Sequence, residues 1–110
     1  MLRILVADDH NIVRAGLKML IERQGSMSVV AEADDGVTAV EAAQRERPNV
    51  AILDVAMPRM TGIQAAREIR AHCPDTAVLL LSMYDDERYV HDALRAGASG
   101  YVLKRQATPS

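Results

Sequence analysis

The sequence predicts an open α/β fold, a doubly wound parallel sheet with helices on both faces. Three observations carry this expectation. Five strand-sized apolar runs recur at 4–7, 29–31, 50–53, 77–81 and 101–103, and stretches of helical spacing lie between them. Two of the runs, Val50-Ala51-Ile52-Leu53 and Ala77-Val78-Leu79-Leu80-Leu81, are apolar throughout. A strand with one wet face alternates apolar and polar residues, so an unbroken apolar strand belongs in a parallel sheet covered on both sides. Regular alternation leaves no place for an internal boundary, and 110 residues make a single domain, 1–110.

Each element has a local reason. The first strand, 4–7, runs into Asp8-Asp9, after which Val13, Leu17, Leu20 and Ile21 repeat at helical spacing. After the second strand, Asp35-Gly36 caps a helix marked by Val37, Val40 and Ala43, and Pro48 ends it. The third strand is followed by Thr61-x-x-Gln64, a capping box that opens a helix carrying Ile63, Ala66 and Ile69, which stops before Pro74. The fourth strand precedes a helix marked by Val90, Ala93 and Leu94, for which Gly97 supplies a left-handed stop before the fifth strand.

Composition excludes several functions. Thirteen Lys and Arg against fifteen Asp and Glu give a net charge of -2, which lacks the basic footprint that nucleic-acid phosphates require, so direct nucleic-acid contact is not expected. Cys73 stands alone, which rules out an intrachain disulfide and a multi-cysteine zinc site. No apolar run approaches the roughly 20 residues of a membrane span, and the N-terminus enters a strand directly, so the reading is a cytoplasmic protein with no membrane contact.

In an open parallel sheet the carboxyl ends of the strands form one edge, where ligands bind. The polar residues there are Asp8-Asp9 after the first strand, Asp54 after the third, Ser82 after the fourth and Lys104 after the fifth. Asp34-Asp35 after the second fits a cap instead. Carboxylates 4 Å apart repel by about 4 kcal/mol per pair at an effective dielectric of 20, so a cluster of three calls for a cation. Oxygen ligands with room for water suit Mg²⁺. A carboxylate beside Mg²⁺, an ammonium and a hydroxyl has the parts for attack on phosphorus, with the cations neutralising the phosphoryl oxygens.

At this point the chain resembles a known family. Leu5-Val6-Ala7-Asp8-Asp9-His10, the run from Ile52 through Asp54-Val55-Ala56-Met57-Pro58 to Gly62, Leu80-Leu81-Ser82-Met83, and Gly97-Ala98-Ser99-Gly100-Tyr101-Val102-Leu103-Lys104 are similar to the receiver domain of bacterial two-component response regulators. The closest likeness is to the branch whose receivers precede a helix-turn-helix DNA-binding domain. The resemblance implies the flavodoxin-like strand order 2-1-3-4-5. It further implies that Asp54 is the phosphoacceptor, that Asp9 and Asp54 hold Mg²⁺ directly with Asp8 supporting it through water, and that Ala56 adds its backbone carbonyl. Lys104 would pair with the phosphoryl oxygens, while Ser82 and Tyr101 would form the switch. The implied partners are a sensor histidine kinase and the chain's own C-terminal helix-turn-helix domain, with a changed surface around the fourth helix and fifth strand as the output. The protein would be a phosphoacceptor that assists its own phosphorylation and dephosphorylation, not an enzyme. Dephosphorylation is expected to be slow, because Ala56 has no side chain to orient water and Met83-Tyr84 are bulky enough to shield the phosphoryl group.

Competing readings are weaker. An aspartyl-phosphate hydrolase would need an Asp-x-Asp spacing after the first strand, which Asp8-Asp9 lacks. A flavin module would need stacking aromatics, and aromatic content is 3% with no Trp or Phe. Asp8 and Asp9 as mere helix caps lose ground once Asp54 joins them. His10 is a candidate transition-metal ligand, but no second histidine converges on it, and it reads as a solvent-exposed residue. The last expectation concerns Thr108-Pro109, a helix start signal with no helix after it. The fifth helix is expected to be missing or truncated, leaving part of the first helix and the fifth strand uncovered, so that copies associate or exchange elements through the fourth helix and fifth strand.

Overall fold

The computed structural model describes residues 1–82, 92 and 95–103. Its elements are β1 (Leu2–Ala7), α1 (Asn11–Glu22), β2 (Met27–Ala33), α2 (Gly36–Glu46), β3 (Val50–Asp54), α3 (Gly62–His72), β4 (Ala77–Ser82) and β5 (Gly100–Leu103). All strand pairs are parallel, in the order β2-β1-β3-β4-β5, as the resemblance implied. The helix predicted around Val90, Ala93 and Leu94 lies outside the described residues. Its predicted stop is seen: Gly97 has φ of 97°, a conformation in which a Cβ would also collide with Arg70.

The strands exceed their apolar runs. Ladder pairing carries β3 as far as Asp54, which lies opposite Leu81, and β4 as far as Ser82, which lies opposite Leu103. Both were expected just past a strand end; they are instead its last rungs, because hydrogen bonding between backbones continues where the apolar pattern has already stopped.

Strand alternation sends Leu5, Ala7, Ala51, Leu53, Val78 and Leu80 to one face, where they form a common core with Ala39, Ala42 and Ala43 of α2 and Ala65, Ala66 and Ile69 of α3. Small alanines let both helices lie close to the sheet. The predicted caps hold them there. Asp35 accepts from the Thr38 N–H at 2.8 Å, and the Thr61–Gln64 capping box has both of its bonds, at 3.2 and 3.0 Å. On the other face α1 runs against β1 and β2. No α1 residue is fully buried, and Ile12, Met19 and Leu20 are exposed.

Candidate functional site

The site lies where β1 and β3 end side by side. Ala7 is paired with Leu53, so the next residue on each strand, Asp8 and Asp54, reaches the same sheet edge. Both are buried, at 0% and 2% exposure. Asp9, one residue further, is partly open to solvent. One ligand atom from each of Asp8, Asp9, His10 and Asp54 falls within a group whose members are all within 4.8 Å of one another. Three of the predicted site residues are therefore brought together by the fold.

The backbone around the cluster is fixed from several sides. The Asp8 N–H donates to the Ala33 carbonyl at 3.0 Å, and the Arg14 guanidinium donates to the Asp8 carbonyl at 2.7 Å. Arg14 is anchored in turn by Glu32 at 3.3 Å and by Asn11 at 2.8 Å. Beyond Asp54, the Val55 N–H donates to the Leu81 carbonyl at 2.9 Å and the Gly62 N–H to the Val55 carbonyl at 2.8 Å. Gly62 meets the Asp54 carbonyl so closely that a Cβ there would overlap it, so only glycine lets α3 start against this strand end. Asp54 Oδ1 also accepts from the Ala56 N–H at 3.4 Å. Ala56 is exposed, and its methyl group cannot orient a water molecule.

Ser82 is 1% exposed at the end of β4, on the same sheet edge. Tyr101 pairs with Leu80 in β5 and is half-buried against the core. Lys104, Met83 and Tyr84 lie outside the described residues. Asp35 has the capping role predicted for it. Its carboxyl is held below its ordinary value chiefly by the Thr38 N–H, with Arg59, 2.9 Å away, adding to the effect and burial opposing it. Arg59 thereby ties the loop after Asp54 to the start of α2, a link that no spacing in the sequence announces.

His10 stands beside the acid pair. It is exposed, as expected, yet its Nδ1 lies 3.0 Å from Asp8 Oδ1 and 3.2 Å from Asp9 Oδ1, and its N–H donates to Asp8 Oδ1 at 2.8 Å. The signal for these contacts in the sequence is adjacency to the acid pair.

The donor set fits a hard divalent cation. Three carboxylates at this spacing repel one another unless positive charge lies between them, and oxygen donors near a solvent-open side leave room for water ligands. Among the described residues no helix is long and apolar enough to cross a membrane.

Comparison with known proteins gives a consistent result. Residues 4–109 match the family described as the response regulator receiver domain. The chain is similar to the transcriptional regulatory protein DegU of Brevibacillus brevis, 41% identical over 103 residues that make up 94% of this chain and 44% of DegU. It is 45% identical over 104 residues to the oxygen regulatory protein NreC of Staphylococcus epidermidis, covering 94% of this chain and 48% of NreC. The chain thus spans about half the length of the curated relatives it matches. Among solved structures, the signal receiver domain of NarL from Mycobacterium tuberculosis superposes with a TM-score of 0.91 at 43% identity, covering 94% of this chain and 83% of that one. A DNA-binding response regulator of the LuxR family from Staphylococcus aureus gives 0.90 at 30% identity, covering 96% and 88%.

Proposed function

The chain belongs to the response regulator receiver domain family, and from that premise we propose that Asp54 accepts a phosphoryl group from the phosphohistidine of a sensor kinase. The carboxylate oxygen bonds to phosphorus as the phosphorus–nitrogen bond breaks, and the electron pair of that bond returns to the imidazole. The observation that carries the reading is the convergence of Asp8, Asp9 and Asp54 at one strand edge. Asp9 and Asp54, with the Ala56 carbonyl, would hold Mg²⁺, and Asp8 would support it. When bound, Mg²⁺ offsets the charge of the carboxylates and of the phosphoryl oxygens. Lys104 pairs with those oxygens, Ser82 hydrogen-bonds one of them, and Tyr101 changes rotamer with Ser82. The domain assists its own phosphorylation and dephosphorylation. The exposed Ala56 methyl supports a slow self-dephosphorylation.

The protein works in the cytoplasm, and the output is transcription control through a helix-turn-helix domain following this one. Two relatives whose names describe regulatory proteins, DegU and NreC, are about twice as long as the stretch they share with this chain, which supports such an arrangement. Copies associate or exchange elements through the fourth helix and fifth strand, a reading supported by the position of β5 at the sheet edge. A hydrolase using the same chemistry is not favoured, since Asp8 and Asp9 are adjacent rather than separated by one residue.

Intact mass after incubation with Mg²⁺ and a small acyl or amido phosphate tests the assignment. The expected result is one phosphoryl adduct, lost in Asp54→Asn and in excess chelator. An adduct that survives either treatment defeats it.

A further inference from the structure

We infer that Arg14 is a positioning residue for the acid pair: it holds the peptide between Asp8 and Asp9 so that the Asp9 carboxylate stays within the cluster. Its loss then weakens Mg²⁺ binding even though a positive charge is removed. The inference rests on the reading of Asp8, Asp9 and Asp54 as a Mg²⁺ site and extends it to a residue outside that set.

Arg14 is built onto the backbone of the site rather than into its carboxylates. Its side chain is 19% exposed, and each guanidinium nitrogen has a different partner. Nη1 donates to the Asp8 carbonyl at 2.7 Å, Nη2 to Asn11 Oδ1 at 2.8 Å and Nε to Glu32 Oε1 at 3.3 Å. The three acceptors sit on three parts of the fold: the loop after β1, the first turn of α1 and the end of β2. A planar, always charged fork holds three directions at once, which a point ammonium or an amide does not. Glu32 also lies 3.5 Å from Lys18, so the anchor on β2 is itself held.

The contact falls on the peptide that places Asp9. The atoms of a peptide unit lie in one plane, so fixing the Asp8 carbonyl also fixes the position of the Asp9 Cα. On the other side of Asp8, its N–H donates to the Ala33 carbonyl at 3.0 Å. Asp8 is thereby held at both backbone polar groups, by β2 and by Arg14. The Asp9 side chain, 35% exposed, lacks the packing that surrounds buried Asp8, so its placement depends on this backbone.

Charge and position predict opposite outcomes. A guanidinium near a cation site repels the ion, so on electrostatics alone its removal tightens Mg²⁺ binding. If Arg14 acts by holding the peptide, its removal loosens a ligand and weakens binding.

Mg²⁺ titration of the ¹⁵N-labelled 110-residue chain, followed by backbone amide NMR signals at the ends of β1 and β3, separates the two. Arg14→Gln is expected to raise the Mg²⁺ dissociation constant about tenfold, the lower end of what partners of metal ligands contribute. Asn11→Ala changes no charge and removes one contact of the fork, so it should raise the constant about threefold. In the Arg14→Gln background Asn11→Ala should add nothing, because that contact is already gone. An unchanged or lower constant in Arg14→Gln, or an Asn11→Ala effect of equal size in both backgrounds, overturns the role of Arg14 and leaves the carboxylate pocket standing. If Arg14→Gln does not fold, Asn11→Ala decides alone, and wild-type affinity in that variant overturns the proposal. Mg²⁺ binding that is insensitive to Asp9→Asn overturns the pocket itself, and the Arg14 proposal with it.

Discussion

On one face of the sheet α2 and α3 bury Ala39, Ala42, Ala43, Ala65, Ala66 and Ile69, and both helices begin at caps with side-chain hydrogen bonds. On the other face α1 has no buried residue, its N-cap side chain makes no capping bond, and Ile12 and Met19 are 87% and 64% exposed. The strand residues follow this only in part: Leu53 and Leu80 on the first face are fully buried and Ile52 and Leu79 on the second are partly so, yet Ile4 and Val6 of β1 on the second face are buried too. Apolar content does not distinguish these faces. What differs is side-chain size. Alanines allow α2 and α3 to approach the sheet closely over a broad front, whereas α1 carries larger apolar residues, of which Ile12, Met19 and Leu20 stay exposed.

The largest effect should come from emptying the closed face. Ile69→Ala is expected to cost about 2–5 kcal/mol, since it leaves a cavity among side chains that cannot collapse into it. Ile12→Ala on α1 should stay within about 0.5 kcal/mol. Urea midpoints of the two variants at constant slope measure the contrast, and equal losses would erase it.

A smaller loss is expected from the caps. Thr61→Ala removes the bond from the Gln64 N–H to Thr61 Oγ1, while the backbone N–H of residue 61 keeps its bond to Gln64 Oε1, and it should cost about 1 kcal/mol. An unchanged urea midpoint would mean that α3 is held by its buried alanines alone.

The smallest effect is electrostatic. The Asp35 carboxyl is held below its ordinary value of 3.8 by the Thr38 N–H and Arg59, so in the folded protein it ionises more readily than in the unfolded chain. Its contribution is complete above that ordinary value and is lost as pH falls through the lower folded value. Asp35→Asn keeps a capping oxygen but no charge. The stability gap between wild type and this variant should therefore narrow as pH drops from about 5 to about 3. A gap that widens on acidification would reverse the sign of the argument.

Legibility in the sequence followed the same division. The helix caps at Asp35 and Thr61 and the stop at Gly97 are local, set by residues within a few positions of one another, and each was readable from spacing. Asp8, Asp9 and Asp54 were readable because a parallel sheet places all its strand ends on one edge, a rule that needs only the order of the elements. Asp54 and Ser82 as ladder residues were not, since pairing depends on the neighbouring strand rather than on the residue's own polarity.

The sequence by itself determined the alternation of elements, the parallel sheet and the acidic edge, because apolar period, turn chemistry and strand direction are properties of short stretches of chain. Tertiary structure alone decided which atoms meet there. His10 Nδ1 came to lie on two carboxylates, Arg14 on the Asp8 carbonyl and Arg59 on Asp35. The last two contacts cross 6 and 24 positions of sequence. Side chains with several rotatable bonds reach such partners only after the fold has fixed distance and direction, and spacing along the chain records neither.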